Sequence, residues 1–70
     1  MMPLNLAPTG EENIILRVSG SADVKQHLQD IGFVPGGKVT VISSNGSGII
    51  VNVKGVRIAV TREMATKIFV

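Results

Sequence analysis

Seventy residues allow one small domain, spanning residues 1–70, whose core can bury only about 60% of the surface that the unfolded chain exposes. The absence of cysteine excludes disulfides, thiolate zinc sites and cysteine nucleophiles, so the 44% of residues that are hydrophobic must supply an aliphatic core unaided. Seven cations against five anions leave only +2, scattered as Arg17, Lys25, Lys38, Lys54, Arg57, Arg62 and Lys67, and this excludes a phosphate-binding patch.

Leu4 and Leu6 are available to pin the N-terminus to the core, ahead of the turn material Ala7-Pro8-Thr9-Gly10. Glu12 to Val18 reads as a strand, with Ile14, Leu16 and Val18 alternating onto one face and Ile15 and Arg17 onto the other. A helix follows. Ser21 is a natural N-cap, Asp23 sits in the first turn, and Val24, Leu28 and Ile31 make one apolar stripe. Gly32 supplies the left-handed position that ends the helix, and Phe33 is placed to touch Leu28 in a Schellman ending.

Val34-Pro35-Gly36-Gly37 suits a type II turn. Lys38 to Ser43 is a second strand with Val39 and Val41 on one face, and Ser44 to Gly48 is a hairpin loop. Ile49 to Val53 and Val56 to Val60 follow as strands joined by the tight turn Lys54-Gly55. Their alternation points Ile49, Val51 and Val53, then Val56, Ile58 and Val60, inward. Thr61 caps one helical turn, Arg62 to Ala65, and Ile68 to Val70 closes the chain as a fifth strand. Five short strands with one helix after the first are most stable curled into a small barrel, with the helix across one open end.

Few side chains here suggest chemistry. The sole histidine, His27, shares a helix flank with Asp23 and Asp30, a donor set suited to Fe²⁺, Mn²⁺ or Zn²⁺; a solvated polar flank explains it as well. Gly46 and Gly48 are not followed by the Lys-Ser/Thr pair of a phosphate loop. The serines have no base partner beyond His27, and turn and capping roles account for their positions. Neither catalysis nor a cofactor is expected. No stretch approaches the ~20 apolar residues of a membrane span, and Met1 to Leu6 lacks the form of a secretory signal. A cytoplasmic protein that works by binding a partner is what remains.

The run from Val24 to Gly36, with Leu28, Ile31-Gly32-Phe33 and Pro35-Gly36, resembles the L-x-x-(L/I)-G-(L/F)-x-P-G signature of the FeoA family, ferrous iron transport protein A. Gly55, Ile58-Ala59-Val60, Ala65 and Ile68-Phe69-Val70 continue the likeness to the end of the chain. His27 stands where family members commonly carry arginine, and Ser44 to Gly48 replaces a proline-containing loop. The resemblance implies an SH3-like barrel of five strands, with a helix between the first and second and a short helical turn before the last. It also implies a small cytosolic accessory to FeoB, the membrane ferrous iron transporter with a G-protein domain.

A related domain ends the iron-dependent repressors, so the alternative is a free-standing, metal-responsive module acting on such a repressor. The exposed helix face, Lys25, Gln26 and Gln29, and the outward arginines Arg57 and Arg62 are the expected docking residues. Oligomeric state is left open.

Overall fold

A computed structural model describes residues 1–70. After a 3-10 turn at Leu4–Leu6, the elements run β1 (Glu12–Ile14), β2 (Arg17–Val18), α1 (Ala22–Ile31), β3 (Lys38–Ser44) and β4 (Gly48–Val53). The chain continues through β5 (Val56–Thr61), α2 (Arg62–Ala65) and β6 (Ile68–Phe69). One antiparallel sheet has the order β1-β3-β4-β5, and a second ribbon pairs β2 with β6.

The helix forms where its signals place it. The Ser21 hydroxyl accepts from the Val24 N–H at 3.3 Å, satisfying one of the unpaired amides of the first turn. At the other end Gly32 takes φ 128°, and the Phe33 N–H reaches the Leu28 carbonyl at 2.9 Å. Leu28 and Phe33 are both fully buried, with Val24 and Ile31 half-buried against the same core. The turn after the helix closes through Gly37 N–H to Val34 C=O at 2.9 Å, with Gly36 at φ 88°.

The sheet presents Val39 and Val41 from β3, Ile49, Val51 and Val53 from β4 and Val60 from β5 to the core. Lys54 and Gly55 have φ 54° and 79°, the paired positive angles of a type I′ turn, whose twist matches that of the strands it joins. Thr61 caps α2 through its hydroxyl and the Met64 N–H at 3.2 Å.

Three expectations are corrected. The first concerns Glu12 to Val18, which is not one strand. It breaks at Ile15 and Leu16 because its two halves serve different sheets. The Ile15 N–H donates to Gly37 and the next amide, Leu16, donates to Phe69, each at 2.8 Å. The break turns Ile15 inward to full burial and leaves Ile14 and Leu16 exposed, while Val18 still reaches the core.

The second concerns the barrel. There are six strands in two sheets that do not close, and the helix lies between the second and third strands. The third concerns two side chains expected inside. Val56 is 58% exposed: it starts β5 at the sheet edge, whereas its partner Val53 is covered by the close approach of Gly32. Leu6 is exposed, and Leu4 alone anchors the 3-10 turn in the core.

The two ends of the chain meet beside β6. Met2 and Val70 exchange both backbone hydrogen bonds, each 2.9 Å long.

Candidate partner-binding surface

Two regions carry the side chains expected to dock a partner. The first is the outer face of α1, where Ala22, Asp23, Lys25, Gln26, His27, Gln29 and Asp30 are all exposed. It follows directly from the burial of Leu28, because a helix that buries one stripe must present the opposite one to solvent. One turn apart, Gln26 Nε2 donates to Asp30 Oδ1 at 2.9 Å. Asp23, His27 and Asp30 all lie exposed on this helix, and no three His, Asp or Glu side chains of the protein are grouped as they would be to hold an ion.

The second region is β5 and the start of α2. Arg57 and Arg62 are both exposed and neither forms an ion pair. The one ion pair in the protein, Lys38 to Glu12 at 4.0 Å, lies at the other side of the sheet, and exposed pairs of that length contribute little. No hydrogen bond or ion pair joins the arginines to the α1 face.

Between β4 and β5 lies a shallow, solvent-open depression of about 320 Å³. Gly48 and Ala59 form its floor, with Ile50 and Thr61 beside them. The floor is bare for a steric reason. A Cβ on Gly48 would stand 2.5 Å from the Val60 carbonyl oxygen, so β4 and β5 can approach there only without a side chain. Reading the sequence alone misses this feature, although a glycine and an alanine directly flanking strand aliphatics were its visible trace.

A third arrangement lies where β2 meets β6. Arg17 and Phe69 are direct cross-strand partners, and the guanidinium carbon sits 4.9 Å from the ring centroid. That arginine is thus occupied in a cation–π contact.

No helix is long and apolar enough to cross a membrane. The FeoA domain model matches residues 2–70. The chain is 36% identical over 70 residues to a protein of Methanocaldococcus jannaschii provisionally named Fe(2+) transport protein A, covering 100% of this chain and 85% of that one. It superposes with TM-score 0.89 on the crystal structure of an iron uptake regulatory protein, FeoA, at 31% identity, covering 96% of this chain and 91% of the other. The zinc complex of Stenotrophomonas maltophilia FeoA, described as a prokaryotic SH3 domain protein, superposes with TM-score 0.84 at 21% identity. That alignment covers 99% of this chain and 88% of the other. The architecture is therefore SH3-like, and with both its sequence and its fold in agreement the chain belongs to the FeoA family, which is associated with ferrous iron transport.

Proposed function

We propose that this chain is a cytoplasmic accessory protein of ferrous iron uptake, without enzymatic activity, that binds the cytosolic part of a FeoB-type transporter and modulates it. The observation that carries the reading is the family match over residues 2–70, together with a relative named for Fe(2+) transport at 36% identity. The surface chemistry supports it. The α1 face is polar and mixed in sign, and a surface of that kind suits a transient interface below about 1,200 Å² rather than an obligate one.

Lys25, Gln26 and Gln29 provide adaptable donors on α1, and Arg57 and Arg62 provide fixed charge on the sheet side. Contacts made through exposed charges are screened by salt, so binding weakens as ionic strength rises.

The test titrates the transporter's cytosolic domain into isotopically labelled protein, with and without guanine nucleotide. Chemical-shift changes are expected at the α1 face or around Arg57 and Arg62. Lys25→Glu, and the pair Arg57→Glu with Arg62→Glu, weaken binding while shifting stability by no more than about 0.5 kcal/mol. No shift change at millimolar domain in any nucleotide state would sink this reading and transfer the function to the repressor-associated alternative.

A further inference from the structure

The β5 edge presents a feature that the docking reading above does not use. In the β4–β5 hairpin the pair Val53/Val56 flanks a two-residue turn and therefore exchanges hydrogen bonds; along the ladder the bonded pairs continue at Val51/Ile58 and Ile49/Val60. The Arg62 N–H to Ser47 carbonyl bond, 3.2 Å, falls on the same parity. Arg57 and Ala59 lie on the other parity, so their N–H and C=O groups point away from β4. Nothing pairs with β5 on that side, and no turn, cap or side-chain bond engages those four groups. Both residues are exposed.

Unpaired backbone of this kind is a template for another strand. The charge around it decides which strand. Lys54 precedes it, Arg57 lies within it and Arg62 follows it, all exposed and none ion-paired. A second copy of this chain would bring the same cations against these, and like charges across a strand pair are unfavourable. An acidic strand meets opposite charge.

The depression adds a further requirement. Arg57, Ala59 and Thr61 share one face of β5, and Ala59 opens onto the dip beside the 40% exposed Ile50. A strand laid along β5 therefore sets one side chain beside Arg57 and the next on that face beside Ala59.

We propose that the β5 edge binds an extended acidic segment of a partner protein by strand addition, with a carboxylate beside Arg57 and an aliphatic side chain over the Gly48–Ala59 depression. The inference shares Arg57 with the transporter reading but rests on the backbone of this edge, and its test contains no transporter, so the two can fail separately.

The probe is the peptide Thr-Glu-Thr-Val-Thr-Glu-Thr, whose glutamates and valine share one face when extended, with a lysine-for-glutamate version as control. Titrated into labelled protein, the acidic peptide is expected to shift the amides of Arg57, Ala59 and Ile50 and to slow hydrogen exchange at Arg57 and Ala59. The lysine peptide binds at least tenfold more weakly. Ala59→Pro abolishes binding, and since the Ala59 N–H makes no ladder bond the fold tolerates it; should that variant unfold, Arg57→Glu, which inverts the preference between the two peptides, decides. Equal response to both peptides, shifts confined to α1, or no response at millimolar peptide would overturn the proposal. So would exchange protection at Arg57 and Ala59 that rises with protein concentration alone, which would assign the edge to a second copy.

Discussion

The helix with its ending, Ser21 to Phe33, and the segment just before it, Glu12 to Val18, are neighbours in sequence with equally regular apolar patterns, yet only the helix folds as its pattern predicts. The difference is where each finds its hydrogen-bond partners. The helix meets its own needs: Ser21 bonds Val24 and Leu28 bonds Phe33, all within one short run. The strand segment depends on Gly37, which leads into β3, and on Phe69 in β6, both remote in sequence and serving different sheets. Alternation assumes one sheet throughout. A segment that changes sheets turns at the crossing, and alternation then misreads the residues around the turn, here Ile14, Ile15 and Leu16, while Arg17 and Val18 keep their expected faces.

The contrast is sharpest at adjacent residues. Ile15→Ala, at a fully buried position, should cost about 2–5 kcal/mol, as should Leu28→Ala in the helix. Leu16→Ala, at a position 55% exposed, should stay within about 0.5 kcal/mol. Denaturant melts of the three variants measure this directly, and an Ile15→Ala as mild as Leu16→Ala would restore the uninterrupted strand.

A smaller effect tests the helix ending. Gly32→Ala should cost about 1–2 kcal/mol for the positive φ alone. The added Cβ also stands 3.1 Å from Val53 Cγ1, and Gly32→Val should cost more still because a branched side chain resists that conformation. Thermal melts that rank valine no worse than alanine would mean that the helix ends elsewhere.

The smallest effect belongs to the second half of the crossing. A double-mutant cycle of Arg17→Ala with Phe69→Leu should give a coupling of about 0.5–1 kcal/mol, the size of an exposed cation–π contact. A coupling near zero would leave β2 held to β6 by its backbone alone.

The same division governs how much could be read beforehand. Both caps, the type II turn, the tight turn at Lys54-Gly55 and the inward faces of β3 and β4 are local patterns, and the sequence states them openly. Strand order is not local. That Ile14 and Leu16 would be exposed, that Val56 would lie uncovered, and that β5 would be an edge all depend on which strands lie side by side. For the surfaces, exposure of Lys25, Gln26 and Gln29 followed from the Leu28 stripe. The outward backbone of Arg57 and Ala59 followed only once β5 had a neighbour on one side and none on the other.

Met2 and Val70, which exchange both of their backbone bonds, make the polypeptide almost a ring. Antiparallel residues bonded in that way have Cα atoms about 5.5 Å apart, a gap that a two-residue turn spans. An Asn-Gly bridge between them, with the chain opened instead between the exposed Pro8 and Thr9, should give a circular permutant with the same core. The same adjacency means that the fold can be spliced into a surface loop of an unrelated host without prying that loop apart, since the host chain would enter and leave it at almost one point.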